Sequence, residues 1–548
     1  MKNPGAGGAP VTVRPLLSSE TSGPLPLCFP RHPSLPLLSG AVLRALAILC
    51  ALLLGACTSI PLDYPKTVTT AYPPEQAGPL GELSSSWHEQ YPGDSGFLGL
   101  SSGRDALGVR LRLIELAQRG IDAQYFLWKP DRAGKLLLSK LLLAADRGVR
   151  VRLLLDDIFT PNFDDEMVLL ASHPNIDIRL FNPLQRGVFK YPGYLADFKR
   201  ANRRMHNKSF TVDNNVTIIG GRNIGEEYFD LKTAGTFDDF EMLAVGPVVE
   251  QTSASFDAFW NSRLAVPIAA IGSAGDTARV EQWRAAMREE VAPGASGLYA
   301  QAHASTMLRE IREGQVTLTA APATLVSDLP QKLKSNPADV AHRTMATEIG
   351  RHMLAAQREL LVVTPYFIPL ESGAANIEAL LARGVRVVIV TNSLASTNHV
   401  PVHSAYVRYR KRLLEAGAEI YEIAAATDGE ASDWGHSRER LTLHTKAAVI
   451  DRTTLIVGSM NFDPRSIQLN SELGLMIRSP LLATDFAGEV GNTVSSAAYR
   501  VELDERNKLR WVYLGDGEQY TVSREPQAGF GRRFMAGFYR LLPLEDQL

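Results

Sequence analysis

One pattern of residues occurs twice in this chain with the same internal spacing, and it constrains the architecture more than any other feature. The first copy is His206, Lys208, Asp213, Gly220-Gly221 and Asn223; the second is His444, Lys446, Asp451, Gly458-Ser459 and Asn461. Both read H-x-K-x4-D-x6-G-[GS]-x-N without a gap. Other landmarks repeat around them. Arg147-Gly148-Val149-Arg150-Val151 echoes Arg383-Gly384-Val385-Arg386-Val387, and Tyr125-Phe126-Leu127 echoes Tyr366-Phe367-Ile368. The offsets are 238 from His206 to His444, 236 from Gly148 to Gly384 and 241 from Tyr125 to Tyr366. A near-constant offset means a duplicated domain. Each half reads as strand, helix, strand and then a motif hairpin, so the sheet in each half is largely buried. The expected fold is α/β, with two pseudo-symmetric halves that bring their motif faces to one shared cleft.

The spacing predicts how the side chains point. His206 to Asp213 and His444 to Asp451 are rich in strand formers, and side chains on a strand alternate between faces. His206 and Lys208 then share one face, with Phe210 and Val212 behind them, while Asp213 points the other way. His444, Lys446 and Asp451 repeat the arrangement. Asp213-Asn214-Asn215 and Asp451-Arg452-Thr453 read as turns. Gly220-Gly221 and Gly458-Ser459 let backbone come close to an anion. The expected catalytic set is His206, Lys208, Asp213, His444, Lys446 and Asp451, the aspartates as supports at the strand ends. Gly221, Asn223, Ser459 and Asn461 are the expected substrate contacts.

A phosphodiester is an anion and must be neutralised before it is attacked. Lys208 and Lys446 can do this as point charges, with Asn223 and Asn461 donating hydrogen bonds. One histidine attacks phosphorus and the other moves protons, work that suits an unperturbed pKa near 6.5 and is worth roughly 10²–10⁴ in rate. Many phosphodiesterases use divalent metals instead. No carboxylate cluster stands beside either motif, so no metal and no cofactor are expected. By symmetry alone either histidine could be the nucleophile.

These motifs resemble the two H-K-D motifs of the phospholipase D superfamily, and the similarity extends over most of residues 96 to 500. Asn461-Phe462-Asp463-Pro464-Arg465-Ser466 resembles the lipid-acting branch, especially the bacterial cardiolipin synthases. Asn202 to Asp213, Gly220 to Gly225 and Thr391 to Ala395 are most similar to their C-type. The resemblance implies two phospholipase D-type α/β halves sharing one active site. It implies a covalent phosphatidyl-histidine on His206, with His444 as acid and base. A nucleophilic histidine also needs its other ring nitrogen held by an acceptor. Glu241 in Asp239-Phe240-Glu241 and Glu472 in Asn470-Ser471-Glu472 are the expected orienting residues, and the family has an acidic residue at a similar place.

Outside the motifs the chain divides by composition. Residues 1–56 read as a disordered leader, rich in Gly, Pro and Ser, ending in a signal peptide. The apolar run Ala45 to Leu54 is too short to span a bilayer but has the length of a signal-peptide core. Leu54-Gly55-Ala56-Cys57 resembles a bacterial lipobox, so Cys57 is expected to be acylated as the first mature residue, with translation starting near Val42 or Leu43. The other cysteines, Cys28 and Cys50, lie upstream, leaving no disulfide and no cysteine metal site. Residues 57–95 read as a Pro-containing tether, 96–265 as the first half and 266–320 as an inter-half insertion. Residues 321–500 read as the second half and 501–548 as a C-terminal extension. The expected location is a membrane-anchored lipoprotein facing the periplasm. Thr58, where an Asp would retain a lipoprotein in the inner membrane, leaves outer-membrane sorting open.

The formal net charge of −2 argues against non-specific nucleic-acid binding. The basic runs Lys199-Arg200 with Arg203-Arg204, and Arg408 with Arg410-Lys411-Arg412, read as solvated faces. Two apolar groups could serve lipid tails. Phe189, Tyr191, Tyr194, Leu195 and Phe198 precede the first motif. Phe530, Phe534, Phe538, Leu541 and Leu542 recur at helical spacing near three arginines, as an interfacial helix would, although a helix packed on the body is the commoner outcome. The leading function is phosphatidyl transfer between membrane phospholipids, with phosphatidylglycerol as acceptor and cardiolipin as product. The alternative is a phospholipase D-type hydrolase giving phosphatidic acid. A nuclease and a non-catalytic lipid-binding scaffold rank below both. Expected partners are membrane phospholipids and the membrane surface, with no nucleic acid. Two motifs in one chain make a monomeric active site sufficient.

Overall fold

The computed structural model describes residues 62–548, apart from 160–162, 187–193, 195–196, 232–235, 274–275, 291–296, 298–299, 301, 303, 314, 335–339, 426–441 and 516–518. The leader, Cys57, Phe189, Tyr191 and Leu195 lie outside the described residues.

The first half is built on β1 (Ser95–Leu100), β2 (Gly120–Tyr125), β3 (Arg150–Asp156), β4 (Ile176–Phe181), β5 (Ser209–Val212) and β6 (Val216–Gly220). After β7 (Phe237–Asp238), which pairs elsewhere, come β8 (Glu241–Val245), β9 (Ala265–Pro267) and β10 (Thr319–Ala321). The nine strands of its sheet run in the order β10-β1-β8-β6-β5-β2-β3-β4-β9. The second half uses β11 (Ala323–Ser327), β12 (Glu359–Val363), β13 (Arg386–Asn392), β14 (Glu419–Ile423), β16 (Ala447–Ile450), β17 (Thr454–Gly458) and β18 (Leu473–Arg478), with β15 (Thr442–Leu443) set apart. β19 (Ala498–Leu503), β20 (Leu509–Tyr513) and β21 (Thr521–Val522) extend its edge. Its order is β11-β18-β17-β16-β12-β13-β14-β19-β20-β21. From β1 to β9 and from β11 to β19 the two orders coincide strand for strand, so the duplication read from the motifs holds for the fold.

The Arg-Gly-Val-Arg-Val echo marks the same local event in each half. The helix Arg132–Asp146 starts on Asp131, whose carboxylate accepts from Gly134 N at 3.0 Å. It ends at Gly148, in the left-handed region at φ 97°. The helix Leu370–Ala382 ends the same way at Gly384, φ 82°. Glycine takes this conformation without the Cβ penalty, and the chain then turns into β3 or β13. The aromatic echo is out of register by two. Ala123 pairs with Phe210, and Val362 pairs with Ala448. Tyr125 is therefore equivalent to Thr364, and Trp128, bridged to Ile224, to Phe367, bridged to Phe462.

One face of each sheet is covered by helices. The other faces pack on each other: Phe97, Ile219 and Met242 of the first sheet share a buried cluster with Val363, Val457 and Leu475 of the second. The chain crosses between the sheets at Pro322, with β10 paired to β1 and β11 paired to β18. The expected tether is docked from Lys66 onward. Ala71 N donates to Asp257 Oδ2 at 2.8 Å, Trp260 Nε1 donates to Thr69 Oγ1 at 2.9 Å, and Gly78–Gln90 is a helix. The basic runs are not uniformly solvated either. Arg204 is buried against Asp156 at 3.3 Å, and buried Arg410 pairs with Glu422 and Glu525, each at 2.7 Å. No helix among the described residues is long and apolar enough to cross a membrane.

Candidate active site

Each motif hairpin turns on two residues with positive φ. Asp213 and Asn214 lie at 54° and 55°, and Asp451 and Arg452 at 53° and 56°. Asn215 N donates back to Val212 O at 3.0 Å, and Thr453 N to Ile450 O at 3.0 Å. Such turns match the twist of an antiparallel pair. The Asp213 carboxylate accepts from the backbone N–H of Gln118, Arg119 and Gly120 at 2.8, 2.8 and 2.9 Å. Asp451 does the same for Gln357, Arg358 and Glu359 at 3.0, 2.7 and 3.0 Å. Each aspartate thus pins the start of the neighbouring strand, at the end of its own strand remote from the histidine. Asp213 and Asp451 stand as strand-end supports, away from the histidines.

The histidines stand at the other end, and each is docked on the opposite half. His206 N donates to Ser471 O at 2.9 Å, and Ser471 N donates to Arg204 O at 3.0 Å. His444 N donates to Asp238 O at 2.7 Å, next to the short parallel pair of β15 with β7. This exchange carries a carboxylate of each half to the imidazole of the other. His206 Nδ1 lies 2.8 Å from Glu472 Oε2, and His444 Nδ1 lies 2.6 Å from Asp239 Oδ2. A carboxylate only accepts, so Nδ1 carries the proton and Nε2 is left for chemistry. Phe126 meets the His206 ring edge-on at 4.9 Å, while Tyr228 and Phe237 meet the His444 ring at 5.3 and 5.0 Å.

Lys208 Nζ donates to His206 O at 2.6 Å, and Lys446 Nζ donates to His444 O. All four motif side chains are buried. Burial, with the charge of the opposing lysine, lowers Lys208 to a pKa of about 7, and burial lowers Lys446 to about 8. Burial and Lys208 outweigh Glu472 to bring His206 down to about 4. His444 is held well below the ordinary imidazole range by burial and by Lys446 and Lys208. Four groups whose cationic forms repel one another crowd one site. A bound anion would relieve them all.

Glu472 lies where the sequence placed it, but Glu241 does not orient a histidine. Its carboxylate is buried against Arg110 and lies 3.5 Å from Arg222. The reason is register. Gly220 pairs with Glu241 and Gly458 pairs with Gly474, so two residues back along the chain from each partner are Asp239 and Glu472. Asp239 is the true counterpart. The sequence reading missed it because the loops differ in length: Asn223 to Asp239 is 16 residues, and Asn461 to Glu472 is 11. Counting back from the paired glycines finds it.

Two of the expected substrate contacts, Ser459 and Asn223, are engaged within the protein. Ser459 Oγ donates to Glu472 and accepts from Leu473 N at 3.0 Å, so it holds the acceptor of His206. Gly221 occupies the matching place, where a Cβ would fall 2.2 Å from Asp239 Oδ1. A short Asp faces Gly in one half and a longer Glu faces Ser in the other. Asn223 is committed internally: its Oδ1 accepts from Leu127 N at 3.2 Å and its Nδ2 donates to Tyr228 Oη at 3.1 Å. Asn461 N donates to Ser466 Oγ at 3.3 Å, and its Oδ1 is buried without a partner among the described residues. Among the described residues no group of three or more His, Cys, Asp or Glu could hold a metal.

Two duplicated α/β halves with one His/Lys pair each, meeting at a shared site, define the class of phospholipase D-type enzymes. A family model described as "Cardiolipin synthase, PLD-like domain" matches residues 111–260 and 349–493, and the chain belongs to this family. It is 37% identical over 468 residues to cardiolipin synthase C of Escherichia coli K12, covering 83% of this chain and 97% of that one. It is 26% identical over 420 residues to cardiolipin synthase A of Pseudomonas syringae, covering 76% and 71%. Among solved structures, phosphatidylserine synthase of Haemophilus influenzae shares the fold. That match has a TM-score of 0.55 and 13% identity, covering 85% of this chain and all of that one.

Proposed function

We propose that the protein is a phosphatidyltransferase that makes cardiolipin, with His206 as nucleophile and His444 as acid and base. The observation that carries this reading is the reciprocal pairing: each Nδ1 on a carboxylate of the opposite half, each Nε2 without a hydrogen-bond partner among the described residues, and two lysines beside them. The similarity over nearly the whole length of cardiolipin synthase C supports the substrate class.

Lys208 and Lys446 hold the donor phosphodiester, whose negative charge offsets the repulsion that depresses both histidines. His206 Nε2 attacks phosphorus. The N–P bond forms as the bond to the headgroup oxygen breaks, and His444 Nε2–H passes its proton to that oxygen. A hydroxyl of phosphatidylglycerol then enters, gives its proton to the now neutral His444 and displaces His206, which restores the site. With phosphatidylglycerol as donor, the products are cardiolipin and glycerol. Water entering instead gives phosphatidic acid, so transfer requires that water be kept out and the alcohol positioned.

Cys57, by the same proposal, is acylated and anchors the chain at the periplasmic side of the cell envelope. Mass spectrometry of lipids after incubation with phosphatidylglycerol vesicles tests the reaction. Cardiolipin should dominate, with minor phosphatidic acid, and both should vanish in His206→Ala and His444→Ala. Phosphatidic acid as sole product would replace the synthase reading with the hydrolase. A mature N-terminus upstream of residue 57 without lipid would remove the anchor.

A further inference from the structure

A helix near the C-terminus is built inside out. Phe530–Tyr539 buries none of its residues fully, although it is strongly amphipathic. Its body-facing side is Arg532, Ala536 and Tyr539, which are half-buried. Its outer side carries Phe530, Phe534 and Phe538, continued by Leu541 one turn on, with 85, 64, 46 and 82% of their surface exposed. A helix of a soluble protein turns its apolar stripe to the core. Here polar contacts hold the opposite side down. Arg532 donates to the carbonyls of Leu394 and Thr397, and Arg408 Nη2 donates to Arg540 O at 2.6 Å. The aromatic row is left facing outward, with the Phe530 and Phe534 rings stacked at 6.5 Å.

We infer that this face is the surface by which the catalytic body docks on an anionic phospholipid bilayer. The inference rests on the lipid-acting function proposed above. Charge favours this occupant. From Gly529 to Leu542 the chain has no acidic residue; Arg532 faces the body, while Arg533 and Arg540 are exposed, and the neighbouring Glu525 and Glu545 are paired with Arg410 and Arg408. Arginines beside an apolar aromatic stripe are what an interfacial helix presents to anionic headgroups. Position favours it too. Leu394 and Thr397, which anchor Arg532, belong to the loop after β13. In that loop Ser396 O accepts from Thr442 Oγ1 at 2.9 Å, and at the end of β13 Asn392 Oδ1 accepts from Leu443 N at 3.0 Å, directly ahead of His444. The docking helix is thus tied by one loop to the catalytic strand, and a bilayer beneath it supplies lipid at the mouth of the site.

The test uses the mature chain from residue 57 carrying Cys57→Ser, so that neither the signal-peptide core nor an acyl anchor masks the result. Vesicles of phosphatidylglycerol and phosphatidylcholine are sedimented with this protein and with Phe530→Ser/Phe534→Ser/Phe538→Ser added. Each lost ring should weaken vesicle partitioning about tenfold, and parent binding should weaken on pure phosphatidylcholine. Turnover of short-chain phosphatidylglycerol below its micellar concentration should be unchanged, which shows that the variant is folded. Undiminished vesicle binding by the triple variant overturns the inference. So does a shift from dimer to monomer with vesicle binding retained, which would assign the face to a second copy. Because sedimentation needs no turnover, failure to make cardiolipin would sink the proposed function and leave this result standing.

Discussion

Asp239→Asn separates the two carboxylates that the sequence could not tell apart. Asp239 is fully buried, and its Oδ2 lies 2.6 Å from His444 Nδ1. Asparagine keeps the shape and removes the charge. A hydrogen bond to a charged group contributes about 1.5–3 kcal/mol. If that stabilisation is felt when His444 carries its second proton in the transition state, kcat should fall about 10- to 150-fold. The imidazolium also loses its counter-charge, which lowers the His444 pKa, so the alkaline limb of the rate profile should move to lower pH. Glu241→Gln is the control. It breaks a buried pair with Arg110, a loss that typically costs about 3–5 kcal/mol of stability, and it should lower the unfolding midpoint while sparing kcat of the folded fraction. The assay is phosphatidyl transfer from labelled phosphatidylglycerol across pH 5–9, beside calorimetric unfolding. Parental kcat with an unshifted alkaline limb in Asp239→Asn would refute the assignment.

Three further outcomes are expected. Asp213→Ala leaves three strand-start N–H groups without their acceptor, so it should destabilise the fold by about 1–3 kcal/mol in denaturant titration and leave turnover per folded molecule near the parent. Lys208→Met should cost about 3 kcal/mol or more of transition-state stabilisation, read as kcat/KM, and activity should survive exhaustive chelation with EDTA. His206, held at a pKa of about 4 in the fold, binds its proton less readily than the unfolded chain does near 6.5. The unfolded state therefore binds more protons between those values, and stability should fall as pH drops from 6.5 to 4, by on the order of 3 kcal/mol. His206→Ala should show a shallower decline over that window in thermal unfolding.

The duplication, the hairpins and the four central side chains were legible because they rest on local pattern: period-two alternation, turn residues and a repeated spacing. Partners set by long-range register were not. Asp239 lies two residues before Glu241, the first residue of β8, and only the pairing of Gly220 with Glu241 against that of Gly458 with Gly474 decides which of them meets His444. Ser459 reads as a phosphate contact until Glu472, 13 residues on, is folded against it. Arg204 and Arg410 look solvated in a basic run because their acidic partners, Asp156 and Glu422, are distant in sequence or on another element. The C-terminal stripe was visible as helical spacing. Its direction was not, since sequence periodicity does not say which side faces the body.

The crossed pairing of imidazoles and carboxylates also governs what an unfinished chain can do. During synthesis the first half emerges with His206 but without Glu472, and its own Asp239 has no histidine to hold. Neither half, alone or misdocked, contains an oriented proton relay. A nascent, truncated or partly unfolded copy therefore lacks the imidazole–carboxylate pairs of the assembled site. Both imidazole–carboxylate pairs form only when the two halves have met.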